Sequence, residues 1–553
     1  MDRRKILRCI MFEKLEFRCS YILSNMSLKK FCDAEQVEHK KLSGEEFDYS
    51  KIRYPWTELT EDEWRYQIYD VLSLVECIYS LLHKNGDTIY TIPFTNTGYV
   101  RRDARKALKN DYVDIRAQLP NEELYLFLKK AFRGGNTHAN RYRANQEIKN
   151  VHNIDIVSSY PAVQLMAKYP MKPFVKVSNP SVERMAQLLE RGKALLLKVE
   201  CWGVTCREDC PVPYIPRSKV FRIMGEHYED NGRILYMDYG EMYMTDIDFS
   251  IFKNQYMFDG IRITEIFYST YGYLPESLRE VIMNYYRQKT ELKGVDDYFY
   301  MKSKNRLNSV YGMSATDCCK DSLVYDMNSH EFNFAGIDLS VLIERYHKNF
   351  VMAFQWGVWC TCHARARLQK LIDTVCEQNG FESFCYCDTD SVKYTGRKVD
   401  FSEFNNERIA ECKETKSFAK DRKGKIFYLG TAEEEADYKT FKTLGAKKYV
   451  YTDSKGELHI TIAGVNKAKG AKELEEKGGI ASFKEGFTFK KGGGTESVYG
   501  DNISKVIQID GHELEITDFL MIRDSTYTIG ITDEYKLLLR DSMESLKQKG
   551  FFD

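Results

Sequence analysis

The sequence lacks the features that mark most specialised chain classes. Proline is scarce, 11 residues in 553, and glycine at 34 is ordinary, so collagen-like and low-complexity readings fall away. Neither charge sign dominates: Lys+Arg and Asp+Glu are both 81. That balance excludes a histone-like coat of positive charge but leaves local basic grooves open. The fifteen cysteines are too sparse and irregular for a disulfide framework. Their tightest group, Cys201, Cys206 and Cys210 in CWGVTCREDC, matches no common zinc spacing. They read as reduced thiols, so the expected setting is reducing and intracellular. The longest apolar run, VLSLVECIYSLL at 71–82, is broken by Glu76 and falls short of the roughly 20 residues of a membrane span. No apolar core near the N-terminus suggests a signal peptide. There is no fixed-period repeat, which excludes solenoids and propellers. There is also no Gly-x-x-x-x-Gly-Lys-Ser/Thr loop, which excludes an NTP-driven helicase.

What is present is a large globular chain. Its length corresponds to about three to four domains, and 43% hydrophobic with 29% charged residues allows packed cores. Helical and strand patterns alternate without order, so an α+β multidomain enzyme is expected. Residues 60–83 predict a helix, with Asp62 and Glu63 near its start and Leu72, Val75, Ile78 and Leu82 at helical spacing. Residues 275–313 predict a helical hairpin, with a capping box from Ser277 and Glu280 and a stop at Gly294. Its second helix carries Lys304, Asn308 and Tyr311 at i, i+4 and i+7, one stripe of poor core material and therefore a working surface. Residues 101–149 hold twelve Lys/Arg against six Asp/Glu, either a solvated face or a lining for a phosphate backbone. Within them lies Phe132-Arg133-Gly134-Gly135, where the glycines permit close backbone approach to a ligand.

Two acidic segments carry the chemistry. One is VHNIDIVSSYP, with Asp155 in an apolar run; the other is FCYCDTDSVKY, with Asp388 and Asp390 flanking Thr389. In an extended chain residues two apart share a face, so both carboxylates are expected to converge. Clustered carboxylates repel unless a cation neutralises them, and oxygen-only donors suit Mg²⁺ or Mn²⁺. Each pattern alone is weak. Their order is more telling: an acidic strand, a Lys/Asn/Tyr helix 153 residues later (Asp155 to Asn308), and an Asp-Thr-Asp hairpin 80 residues beyond (Asn308 to Asp388).

In that order, Asp155–Pro161 resembles motif A of the family B DNA polymerases, Lys304–Gly312 their motif B, and Tyr386–Ser391 their motif C. The resemblance covers nearly the whole chain and is strongest to the protein-primed branch of bacteriophages. Phe132-Arg133-Gly134-Gly135 resembles that branch's Tyr/Phe-x-Gly-Gly motif. Thr361, Ala364 and Arg365 resemble its template-primer motif, Lys447 and Tyr449 its Lys-x-Tyr motif, and residues 483–489 a thumb segment. The resemblance implies a right-hand polymerase with a partial ribonuclease H-like exonuclease domain. The domains expected from it are a partial exonuclease at 1–96, palm at 97–166 and 355–480, and fingers at 276–315. Insertions at 167–275 and 316–354 resemble the two terminal-protein regions, and 481–553 is the thumb.

The roles follow by the same resemblance. Asp155 and Asp390 would ligate two Mg²⁺ or Mn²⁺ ions, with Asp388 in support. Tyr160 would stack beneath the incoming sugar and exclude a 2′-hydroxyl. Lys304 would meet the triphosphate, helped by Lys289 or Arg287, while Asn308 and Tyr311 shape the base-pair pocket. Arg133, Gly134, Gly135, Thr361, Arg365, Lys447 and Tyr449 would contact DNA. Implied partners are template-primer DNA, dNTPs and a terminal protein, in the cytoplasm of a phage-infected bacterium, with no membrane.

The pattern departs from the family at its start. Tyr66 and Asp70 match the third exonuclease motif, Tyr-x-x-x-Asp, but the first two acidic motifs are missing; Asp33-Ala34-Glu35 lies in a polar, helix-like stretch only 37 residues before Asp70. Residues 14–83 therefore read as the latter part of an exonuclease domain. A lone Asp70 cannot assemble a two-metal carboxylate site, so proofreading is expected to be absent from this chain alone, with a separate chain as one source of the missing half. The competing reading is a catalytically inactive DNA-binding replication scaffold that keeps the polymerase fold. A reverse transcriptase would carry adjacent aspartates where this chain has Asp-Thr-Asp.

Overall fold

The computed structural model describes residues 8–42, 48, 51, 53–54, 56–321, 323–326, 331–490, 495–499, 505–516 and 520–548. The chain divides into two compact units: 1–116 with 275–353 and 419–427, and 117–274 with 354–418 and 428–553. The division at 116/117 falls within the 97–166 stretch expected as the first part of the palm. The helix Asn96–Ala107 packs within the first unit, its Tyr99 and Val100 buried.

The first unit is mostly helical. Helix α1, Glu61–Asn85, begins in a true capping box: Thr60 and Glu63 exchange side-chain and backbone hydrogen bonds, and Gly86 closes it in the left-handed conformation. Beneath it lies a small core of Leu23, Phe31, Cys32, Cys77, Leu81, Ile92 and Tyr99. The hairpin expected at 275–313 is present as α2, Glu276–Leu292, and α3, Asp297–Ser314. Its predicted capping box is not. Pro275 occupies the N-cap without a side-chain bond, which places Ser277 inside the first turn, where its hydroxyl donates to Asp111 at 2.9 Å. The helix ends at Leu292, two residues before Gly294. Tyr285 donates to Asp103 at 2.5 Å and Arg306 lies 5.4 Å from the Tyr99 ring, fastening the hairpin to the 96–107 helix.

Among the described residues the second unit holds two large sheets and smaller two-stranded ones. The catalytic candidates lie on an eight-stranded one: β1 Thr137–Ala139, β2 Ile148–Ile156, β3 Phe384–Asp388, β4 Ser391–Tyr394, β5 Ala432–Glu434, β6 Tyr438–Gly445, β7 Lys448–Thr452 and β8 Leu458–Ile462. Its order is β8-β7-β6-β2-β4-β3-β1, with β5 also on β2. Helix α4, Gln355–Asn379, covers one face through Leu368, Leu371, Ile372 and Val375. On another part of the sheet, Tyr535 and Leu539 of the C-terminal helix join Ile148, Tyr386 and Phe441. The 167–275 segment forms its own seven-stranded antiparallel sheet around the long strands Lys193–Cys206, Arg233–Thr245 and Gly260–Gly272, with a separate apolar core. All fifteen cysteines are free thiols, and among the described residues no helix is long and apolar enough to cross a membrane.

Candidate active site

The two acidic segments meet through backbone hydrogen bonds. Strand β2 carries Asp155 one residue before its end and pairs with β4, so that Asp155 lies opposite Ser391. Strands β3 and β4 join through a two-residue turn, Thr389-Asp390, with Asp388 paired to Ser391. Thr389 has φ 63°, an unusual left-handed conformation for a β-branched residue. The Asp390 carbonyl accepts from the Ile156 amide at 2.8 Å, and the Thr389 amide donates to the Asn136 carbonyl at 2.7 Å. Asp388 and Asp390 are thus brought together by a tight turn rather than by the pleat of one extended strand, which corrects the sequence expectation.

Electrostatics differ at each carboxylate. Asp388 accepts from Lys447 Nζ at 2.5 and 2.7 Å and from Thr137 at 3.1 Å. Burial pushes the Asp390 carboxyl up to about 6, with Asp388 and Glu435 adding repulsion and Lys393 and Lys447 opposing it. Lys393 is buried and donates to Ser391 Oγ; its burial lowers its pKa against the pull of Asp155, Asp388 and Glu435. Among the described residues the trios with ligand atoms within 4.8 Å of one another are Glu38-His39-Glu76 and Asp453-Glu457-His459, and Asp155, Asp388 and Asp390 form no such trio. Their donors are hard oxygens, and a buried carboxylate crowded by two others is relieved by a divalent cation. The residues fit a divalent cation.

Gly135 explains how the glycine motif belongs here. A Cβ at this position would lie 2.8 Å from the Thr389 side chain and 3.0 Å from the Tyr160 hydroxyl, so Gly135 leaves room for a side chain of motif A and one of motif C. Tyr160 sits in the first turn of the helix Ser159–Met166, entered through Ser158 at φ 50°. Arg365 does not reach a DNA groove. It is buried on α4 and donates to Asp248 Oδ1 at 2.7 Å, to Tyr214 at 3.0 Å, and to the carbonyls of Arg133 and Gly134 at 2.6 and 2.8 Å. Thr361 is fully buried and bonds its own helix at the Val358 carbonyl, 2.8 Å away. Direct DNA contact by these two side chains is therefore corrected to a supporting role. Arg133 is also buried, and its guanidinium makes no hydrogen bond, lying 5.4 Å from the Tyr214 ring. Tyr449 is 8% exposed and packs at tilted angles against the rings of Tyr386 and Phe441.

In the first unit, Lys304 and Asn308 are exposed on one face of α3 and Tyr311 is half-buried there. Arg287 on α2 is engaged by Asn284 at 2.9 Å and Glu280 at 3.6 Å, and Lys289 lies 5.7 Å from the Tyr286 ring. Tyr66 and Asp70 on α1 share Lys41, whose ammonium donates to both Asp70 oxygens at 2.7 and 2.9 Å and to Tyr66 at 3.3 Å.

A family model described as DNA polymerase type B, organellar and viral, matches residues 29–339, more than half of the chain. The chain belongs to the type B DNA polymerases. No curated protein matches it. Among solved structures, Phi29 DNA polymerase complexed with primer-template DNA and incoming nucleotide substrates aligns at a TM-score of 0.67 and 17% identity, over 93% of this chain and 80% of that one. The orthorhombic form of Phi29 DNA polymerase aligns at 0.63, with the same identity and coverage. This type B polymerase is accordingly a DNA-directed DNA polymerase of right-hand fold. Sequence reasoning missed Lys393, Glu435 and Asp248. Lys393 alternates with Ser391 along β4 and could have been read as an inward-facing cation, whereas Glu435 and Asp248 carry no local signal.

Proposed function

We propose that this type B polymerase extends a 3′-OH in protein-primed replication of a viral genome with strand displacement. The observation that carries the catalytic part is the Ile156–Asp390 hydrogen bond, which fixes motif A against the motif C turn. Asp155 and Asp390 would hold two Mg²⁺ ions, which when bound stabilise the attacking and leaving oxygens of phosphoryl transfer. Asp388, already neutralised by Lys447, positions that lysine beside the primer end rather than acting as a principal ligand. Tyr160, confined by Gly135, supports the incoming sugar and leaves no room for a 2′-hydroxyl. On α3, Lys304 offers a point charge to the triphosphate, Asn308 and Tyr311 border the nascent base pair, and Lys289 and Arg287 stand on the neighbouring helix. The buried, hydrogen-bond-poor guanidinium of Arg133 supports a role near a template phosphate, alongside the backbone of Gly134 and Gly135 and the Lys447–Tyr449 strand.

The priming part draws on the insertions. The 167–275 sheet is a layer with its own apolar core, the kind of surface a terminal protein would use, and 316–354 is the second such region. The domain limits above are retained for palm, fingers and thumb. The Asp70 carboxylate is tied to Lys41 and by itself assembles no two-metal carboxylate site, so these residues alone do not proofread.

Extension of a 5′-labelled primer on a template, with Mg²⁺ and with or without dNTPs, tests this reading. Lengthening by the parent chain but not by Asp390→Ala, with no shortening when dNTPs are omitted, is expected. No lengthening under any condition would favour the scaffold alternative. Transfer of a labelled dNMP onto a protein rather than onto the primer distinguishes protein priming from oligonucleotide priming.

A further inference from the structure

A cavity of about 400 Å³ lies within the second unit, walled by the helix Asp246–Gln255 of the insertion layer, the loop 207–210 and α4. Arg365 and Asp248 join the same two helices. The volume falls in the range of small-molecule pockets, about 300–1,000 Å³. None of the lining residues belongs to the polymerase motifs.

Two amide side chains in this cavity call for a donor. Gln255, at the end of the insertion helix, and Gln369, on α4, both line it and are 5% and 8% exposed. Each has its amide oxygen buried without a hydrogen-bond partner. The Gln369 amide is oriented by its neighbour: Nε2 donates to Asp373 Oδ1 at 2.7 Å, and since a carboxylate needs a donor there, the oxygen is left as the free acceptor. A buried acceptor without a partner is costly.

The charge at the cavity is negative. Asp209, Asp373 and Glu377 line it. Of its two cations, Lys370 is neutralised by both Glu407 oxygens at 2.6 Å, and Arg207 is exposed. Asp373 is accessible, yet the surrounding protein pushes its carboxyl up to about 6 against the Gln369 hydrogen bond, and Glu377 adds repulsion; a cation relieves both effects. A metal ion does not suit the cavity, because among the described residues no three acidic, His or Cys ligand atoms here lie within 4.8 Å of one another. Ile251 and Ala366 add apolar lining. Dispersed carboxylates, unpaired amide oxygens and apolar surface together match N–H donors carried on a short hydrocarbon chain.

We propose that this cavity binds an alkyl-diammonium ion, the chemical class of the short polyamines. One ammonium sits beside Asp373 and Gln369 of α4. The other sits beside Gln255 and the Asp209 loop, whose Arg207 amide donates to the Gln255 carbonyl at 2.9 Å. Bound in this way, the ligand is a second clasp between the insertion layer and α4, added to the Arg365–Asp248 pair.

Calorimetric titration of the full chain without DNA tests this, with putrescine (butane-1,4-diamine) as probe and butylamine as its singly charged counterpart. One putrescine per chain is expected, bound roughly tenfold or more tightly than butylamine, the effect of one charge-assisted hydrogen bond. Asp373→Asn and Gln369→Leu should each weaken putrescine binding by a similar factor, while Glu190→Gln, at an exposed position outside the cavity, should not. Gln369→Leu removes an unpaired buried acceptor and should stay folded, which its melting temperature checks. Hydrogen exchange at 246–255 and 366–377 should slow with putrescine in the parent chain and not in Gln369→Leu. No saturable binding, equal binding of butylamine, displacement of putrescine by an equal concentration of Mg²⁺, or affinity unchanged in either cavity variant would each overturn the proposal.

Discussion

Replacing Arg365 by Met separates two roles that its family motif leaves confounded. In the native chain its guanidinium makes hydrogen bonds to Asp248, Tyr214 and two carbonyls of the 133–134 segment, all within 3.2 Å. Asp248 is fully buried and also accepts from Thr245 at 3.0 Å. Removing only the arginine leaves a buried carboxylate without its counter-charge, a loss of about 3–5 kcal/mol. For a unit of this size that lowers the melting temperature by roughly 4–7 °C. The carbonyls of Arg133 and Gly134 also lose their donor, which loosens Gly135 from Thr389 and slows extension. Replacing both partners, Arg365→Met with Asp248→Leu, removes the unpaired charge and should recover most of the lost stability. Thermal unfolding of the single and double variants, with primer extension at low temperature, measures both effects. If Arg365→Met melted with the parent while DNA affinity fell and its salt slope dropped by about one, the arginine would be a phosphate contact and the reasoning would fail.

Tyr160→Val should reduce discrimination against ribonucleotides by roughly 10- to 200-fold, read as the ratio of kcat/KM values; unchanged discrimination would reject the sugar-excluding role. Gly135→Ala drives a methyl against Thr389 and the Tyr160 hydroxyl, and overpacking of about 1–3 kcal/mol should cut kcat/KM without a matching fall in melting temperature. Partial recovery is expected with Thr389→Ala, and none would place the damage elsewhere. Asp246 gives a pH signature: burial pushes its carboxyl up to about 6 despite the 2.7 Å bond from Tyr271. Its native pKa lies above the unfolded value, so this contribution to stability is present at low pH and is lost as pH rises from about 4 to 6. The loss is at most about 3 kcal/mol. Urea midpoints for Asp246→Asn should lack that component, and an identical profile for the parent would disprove it.

The sequence made the catalytic strands legible because each motif is local: Asp155 within an apolar strand, and Asp388 and Asp390 around a single residue. The turn itself was not legible, since nothing in the pattern announces a threonine at φ 63°; the Asn136 carbonyl and the Ile156 amide on distant segments hold it there. The helix starts show a related limit. Thr60-x-x-Glu63 and Ser277-x-x-Glu280 are the same pattern, yet only the first caps a helix. At the second, Pro275 starts the helix two residues early and Asp111 captures the serine. Arg365 was found but misassigned, because its partner Asp248 lies 117 residues away and gives no sign of itself along the chain. Of the stripe read from helical spacing in α1, Ile78 and Leu82 pack on the apolar core whereas Leu72 and Val75 are exposed, because which side faces water depends on packing against 28–35 and not on spacing alone.

The pairing of β2 with β4 has a consequence for biosynthesis. Asp155 and Ser391 are direct neighbours across the sheet, yet the ribosome makes 235 residues between them. Pairing so distant in sequence requires a large loop to close and is intrinsically slow. The 167–275 layer, whose strands pair only with one another, can fold as soon as it emerges. The catalytic pair must wait for the chain's last third. A nascent polymerase therefore acquires its insertion long before its chemistry, and interrupted synthesis leaves a folded insertion without an active site.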